Sequence, residues 1–402
     1  MPEESAGRES NMHTCSKDQD QGRLSIPSFA CMAVIIPILS LSLPLSLSGS
    51  TAITAIAWVA CVISAAMLIL LMRSFGAVAI CALAITFSLS YLGDPVPIAL
   101  VLGAIMTCGV YSAAVASATR RHATFVICAP LLSAALAYAM TASISLTLLS
   151  LVWLPPALAT GLASRQGLDR TRTVALFTSV AAIELTAAVL GYIAWQNGTV
   201  SAEVIEDAVV YTQSVIEWAL RLGIERAGLV AIDEALLIQI RSMSASAVNL
   251  LPGILSVTLI TLGFISHKVE CSLFEKYEQD SLLESSSTPV SVSCTAALIF
   301  LAAHIFSFTS GASHAPSFIA IAAENISLVL LPALLLVGWD KVSALPKRIG
   351  FLAIAVWIGI VLAANALSAS LLSVLALIGA FCIILARTDT WARDHYRKGE
   401  DQ

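Results

Sequence analysis

Long apolar runs separated by short polar clusters dominate this chain. A run of about 17 to 25 residues with few or no charges is what a helix needs to cross the hydrocarbon of a bilayer. Such runs lie at 28–48, 51–72, 75–92, 96–118, 123–140, 145–163 and 172–195, and again at 247–266, 291–309, 317–338, 350–366 and 369–387. The pattern predicts an all-α polytopic transmembrane bundle of about twelve spans, within a range of ten to twelve.

The polar clusters between the runs alternate in character. Every second one is basic: Arg73; Arg120 and Arg121; Arg165, Arg170 and Arg172; Lys268 and Lys276; Lys341, Lys347 and Arg348; then Arg387, Arg393, Arg397 and Lys398. Short basic loops stay on the cytoplasmic side, so both termini are expected there. Asp94, Thr141 to Ser143, Ser310 to Pro316 and Leu367 to Ser370 then face outward.

Residues 198 to 243 break the apolar pattern without losing periodicity. Glu203, Glu206, Asp207, Glu217, Glu225, Asp233 and Glu234 exclude a span, because all would enter hydrocarbon. Yet Ile205, Val209, Thr212, Ile216 and Leu220 form one helical stripe ended by Gly223, and Leu229, Ile232, Leu236, Ile240 and Met243 form another. Two amphipathic helices on the outer face are expected, either capping the bundle or serving as a substrate lid or docking surface. The segment 266–291, with its charge run Lys268 to Asp280 and the stretch Ser285-Ser286-Ser287-Thr288-Pro289, reads as a cytoplasmic linker.

The organisation that follows is a cytoplasmic tail over 1–27, about seven spans in 28–195, extracytoplasmic helices over 196–246, and about five spans in 247–388 with a linker at 267–290. A second cytoplasmic tail covers 389–402. The first tail holds Glu3, Glu4, Glu9, Asp18 and Asp20 against Arg8, Lys17 and Arg23, so it lacks the basic start of a cleaved secretory signal.

Composition agrees with lipid as the solvent. Of the residues 58% are apolar and 12% charged, against about 25% charged in soluble domains, and mean hydropathy is +0.89. The net charge of -5 includes no basic-aromatic block, so nucleic acid is not an expected partner. Seven of the nine cysteines (Cys31, Cys61, Cys81, Cys108, Cys128, Cys294 and Cys382) lie in apolar runs and no C-x-x-C occurs, leaving no expected disulfide framework, zinc site or cofactor. There is no G-x-x-x-x-G-K-[ST], H-E-x-x-H or G-x-S-x-G either, and no catalytic residue is assigned.

Three runs carry a similar stretch around a proline, at Leu154-Pro155-Pro156-Ala157-Leu158, Leu251-Pro252-Gly253-Ile254-Leu255 and Leu331-Pro332-Ala333-Leu334-Leu335. Proline removes a helix hydrogen bond, and transporters place binding sites at interrupted helices, although simple kinks also use proline. The second half resembles the YybS-like family of uncharacterised bacterial membrane proteins. The resemblance rests on Asn249-Leu250-Leu251-Pro252, on Leu331-Pro332, and on Asp389-Thr390-Trp391 followed by Arg393 and Arg397, over about residues 170 to 398. It implies kinship with the substrate-binding S components of energy-coupling-factor vitamin and metal transporters. Capture of a small molecule would follow, with about twice the spans of a six-helix S component.

Polar groups inside apolar runs are the candidates for that contact. Glu184 lies mid-run in 172–195, Glu324 and Asn325 lie near the outer end of 317–338, and His304 lies in 291–309. An ionised carboxylate there costs several kcal/mol unless paired, protonated or wetted, so such groups mark ion or substrate paths. Hydrogen bonding between helices is the other role open to them. Asn365 could join the set. The leading expectation is a non-enzymatic binding or transport subunit for an unknown small molecule, driven by a partner ATPase or an ion gradient. The alternative is a structural or regulatory membrane protein that scaffolds cell-envelope partners.

Overall fold

The fold was analysed in a computed structural model, which describes residues 34–48, 50–89, 95–117, 123–227, 233–276, 290–310, 318–343, 359–360 and 370–400. Every regular element among them is helical, with no strand. In chain order the helices are α1 (Val34–Ser46), α2 (Thr51–Met72), α3 (Phe75–Phe87), α4 (Val96–Ser117), α5 (Ala123–Thr141), α6 (Ile144–Arg165) and α7 (Arg170–Asn197). They continue with α8 (Ala202–Ala227), α9 (Glu234–Asn249), α10 (Leu251–Lys276), α11 (Cys294–Ser310), α12 (Phe318–Ser343) and α13 (Leu371–Glu400).

Seven of these helices contain stretches long and apolar enough to cross a membrane: α2, α4, α6, α7, α10, α12 and α13. Shorter apolar helices occupy α1, α3, α5 and α11. Large apolar side chains stand on their surfaces, with Phe75 87%, Trp195 75% and Phe318 84% exposed. A soluble monomer rarely shows this much apolar surface, whereas lipid tails cover it at no cost. The apolar, helical structure is therefore compatible with an integral membrane protein. Most of the expected runs meet these helices to within a few residues, but α10 and α13 run on past 266 and 387 to Lys276 and Glu400, and 28–33 and nearly all of 350–366 lie outside the described residues.

Local chemistry explains the breaks. The Ser74 hydroxyl accepts from the Ala77 N–H at the start of α3, and Asp233 accepts from the Leu236 N–H at 2.8 Å to open α9. Two of the three similar proline stretches begin helical segments, where the missing proline N–H removes nothing. Leu154-Pro155-Pro156 restarts α6 after an irregular turn at residues 150–153, and Leu251-Pro252 opens α10. The third, at Pro332, is embedded inside α12, as Pro130 is inside α5. Gly223 does not end the first stripe as expected, because α8 runs on to Ala227.

The chain divides into two compact units, 1–181 with 262–288 and 182–261 with 289–402, whose boundaries fall inside α7 and α10. In the first unit α4 is the enclosed helix, with every residue from Ala104 to Val115 buried. Its close approach to α10 needs Gly109, where a Cβ would stand 2.6 Å from the Val269 side chain. Side chains tie the unit together elsewhere: the Ser40 and Ser133 hydroxyls bond each other, and Tyr111 donates to the Val126 carbonyl at 3.2 Å. The second unit centres on Ala297 and Phe300 of α11, Leu334 of α12, and Ala376 and Ala380 of α13. There α12 and α13 meet backbone to backbone, since a Cβ at Gly338 would collide with the Leu375 carbonyl and one at Gly379 with the Leu334 carbonyl.

Candidate functional site

In the second unit the helical chain is interrupted between Asn249 and Leu251, and the interruption is closed by a side chain 72 residues from Gly253 and 76 from Asn249. A continuous helix would join the Gly253 N–H to the Asn249 carbonyl. Instead the Asn325 carboxamide of α12 lies between them. Its Oδ1 accepts from the Gly253 N–H at 2.6 Å, and its Nδ2 donates to the Asn249 carbonyl at 3.0 Å. The same Nδ2 donates to the Ile321 carbonyl of its own helix at 2.9 Å. A carboxamide has the donor and acceptor of a peptide group, so it replaces the missing rung of the ladder. Glycine at 253 makes the approach achievable, since a Cβ there would be 2.7 Å from Asn325 Oδ1.

His304 of α11 contacts α12 close by in sequence: its Nδ1 is 3.3 Å from the hydroxyl of Ser327, two residues after Asn325, and its ring stacks on Phe300 at 5.5 Å. Glu324, next to Asn325, is exposed, and no hydrogen bond or ion pair satisfies it among the described residues. Asn325 and His304 are thus linked through α12, with Glu324 on the same turn. Glu184 is half-buried on α7, and the structure brings it into no hydrogen bond or ion pair with the other three. Asn365 lies outside the described residues.

A second polar cluster, in the first unit, escapes the sequence reading. Helix α10 continues through Lys276, so the first residues of the expected linker are helical. On this stretch His267 and Glu270 are buried, with side chains 3% and 1% exposed. His267 Nδ1 lies 3.0 Å from Glu270 Oε2, and Cys271 Sγ lies 3.6 Å from His267 Nε2. The spacing 267, 270, 271 is the i, i+3, i+4 signature of one helix face. That signal was present in the sequence, but the charges around it read as a solvated loop. Because the two ring nitrogens face different partners, the imidazole has no free nitrogen for a metal. No group of three or more His, Cys, Asp or Glu able to hold a metal occurs among the described residues.

Helices α8 and α9 are joined by an ionic contact. Glu217 of α8 pairs with Arg221 one turn on and with Arg241 of α9, whose Nε is 3.5 Å from Glu217 Oε1. Exposed pairs of this kind stabilise by about 1 kcal/mol or less. They fasten α8 to α9 and suggest no chemistry.

No family model, no curated protein and no solved structure matches this chain.

Proposed function

We propose that this chain is a multi-pass transport protein of the cell membrane, with about twelve spans and both termini cytoplasmic, whose second unit binds a small polar molecule. The observation that supports this reading best is the joint between α9 and α10, opened at Asn249–Gly253 and bridged by Asn325. Interrupted helices place peptide dipoles at membrane depth, where they can meet a ligand, and a membrane protein maintains such a break only where other groups satisfy the backbone. Asn325 is the positioning residue of the joint, since its donors and acceptor are engaged. The ligand would be met by Glu324 and by His304 Nε2, neither of which has a partner among the described residues, with Glu184 as a further carboxylate on the path. A partner ATPase or an ion gradient would supply the energy, as in the energy-coupling-factor transporters that the resemblance implies.

The scaffolding alternative draws on a different observation. Helix α8 presents Tyr211 and Trp218 largely exposed, 71% and 59%, on a segment too charged to span. Aromatic groups of this kind anchor protein interfaces as well as bilayer surfaces.

Thermal unfolding of the purified protein in detergent, against vitamins, metal ions and amino acids, tests the first reading. A ligand that raises the midpoint of the wild type but not of Glu324→Gln or Glu184→Gln supports an intramembrane site. No shift across the panel, with an envelope protein co-purifying in place of an ATPase, favours the scaffold.

A further inference from the structure

We propose that α8 lies along the membrane surface, with Tyr211, Val215 and Trp218 inserted among the lipids of the leaflet where α7 ends. The inference rests on the reading of α7 and α10 as spans and is independent of the ligand site. It gives the exposed aromatic groups of α8 a lipid partner in place of a protein one.

The helix carries an apolar line that nothing covers. Val204, Ala208, Tyr211, Val215, Trp218 and Leu222 follow one another at steps of four and three residues, which keeps them on one side. Tyr211, Val215 and Trp218 are exposed, and the other three are half-buried. Counting about 100° per residue, the line is centred about 140° around the helix from Glu217. Glu217 is the residue that pairs with Arg241 of α9, so that contact is made from another side. The exposed acids Glu203, Glu206, Asp207 and Glu225 stand about 60° or more from the centre of the line and leave it uncharged.

The chain fixes the level at which this line sits. Helix α7, long and apolar enough to cross a membrane, closes on Tyr192 and Trp195, both largely exposed, with ring centroids 6.2 Å apart. Aromatic rings at the end of a span settle at the headgroup level. Four residues separate Asn197 from Ala202, where α8 begins, a reach of at most about 18 Å. At the far end, α9 passes through Leu250 into α10, the next helix able to span. Because neither α8 nor α9 crosses, both attachments are to the same leaflet.

Chemistry then selects lipid as the occupant. A tyrosine and a tryptophan beside aliphatic groups, with the acids turned aside, match the boundary between headgroups and acyl chains. Five acids against Arg221 and Arg226 give α8 no attraction for anionic headgroups. Apolar insertion is what holds it, and a neutral bilayer suffices. Attachment at both ends keeps the helix at high local concentration, so a weak affinity is enough.

The test places a photoreactive benzophenone amino acid at position 215 of the full-length protein in phosphatidylcholine liposomes. Two further sites calibrate it: 206, on the acidic side of α8, and 183, exposed on α7 within the apolar stretch. Illumination should yield a phospholipid adduct at 183 and at 215, several-fold above 206. Lipid capture at 183 combined with a protein adduct at 215, or with no more lipid there than at 206, overturns the placement of α8 while leaving the span intact. No lipid at 183 overturns the span and this inference with it. If the variant at 215 does not fold, lipids brominated high on the acyl chain decide. They should quench the wild type more than Trp218→Phe, and equal fractional quenching overturns the proposal.

Discussion

The Asn325 side chain occupies the place of a backbone hydrogen bond, accepting from the Gly253 N–H at 2.6 Å while donating to the Asn249 carbonyl at 3.0 Å. This relationship couples three helices, α9, α10 and α12, through one carboxamide. Removing it exposes two peptide groups where water is scarce.

Asn325→Ala is therefore expected to lower stability by about 1–3 kcal/mol, since bonds between membrane helices average about 0.6 kcal/mol and reach about 1.7, with unsatisfied groups adding to the loss. Asn325→Asp should be comparably costly, because it retains the acceptor for Gly253 but loses the donor for Asn249 and adds a charge. Unfolding in a mixed detergent series reads both. Wild-type stability in either variant would mean that the joint is not closed by this residue.

A double-mutant cycle isolates the pair. Gly253→Ala forces Asn325 away, so once Asn325 is alanine the glycine should matter much less. A coupling of about 0.5–3 kcal/mol is expected between them. Additive effects would show that the two sites act separately.

Gly338 and Gly379 make the closest backbone approach between α12 and α13. Leucine at either position separates the helices and exposes the cluster around Phe300 and Leu334, at an expected cost of about 1–3 kcal/mol or more. Surface glycines give the control. Gly191 has open space around a built Cβ, so Gly191→Ala should leave the unfolding midpoint unchanged or raise it slightly. Equal effects at Gly338 and Gly191 would contradict the packing of α12 on α13.

Topology is checked by reporter fusions. Alkaline phosphatase joined after Asn197 should be active outside the cell, and a fluorescent protein joined after Gln166 should fluoresce inside, if the basic cluster Arg165 to Arg172 is cytoplasmic. The opposite pattern would invert the orientation of every loop.

Much of the helical order was legible in the residues. The runs 51–72, 96–118 and 172–195 reappear as Thr51–Met72, Val96–Ser117 and Arg170–Asn197, because spanning depends on the summed hydropathy of about twenty neighbours, a strictly local property. The role of Asn325 was legible only as two alternatives, ligand contact or bonding between helices. Its partners lie 72 and 76 residues away, and no local pattern states which backbone gap a carboxamide will fill. His267, Glu270 and Cys271 show how a charge run can mislead. Lys268 and the acids after it suggested a solvated linker, yet α10 carries its face at 267, 270 and 271 into the protein interior.

By itself the sequence determined which segments are apolar helices and that lipid is a solvent they suit. Those outcomes follow from composition within a few turns of helix. Tertiary structure alone decided which polar groups meet, which carboxylates are buried and which stay exposed. Burial is a property of the surfaces that pack together, and a residue's own neighbours in the chain do not specify what arrives from a distant helix.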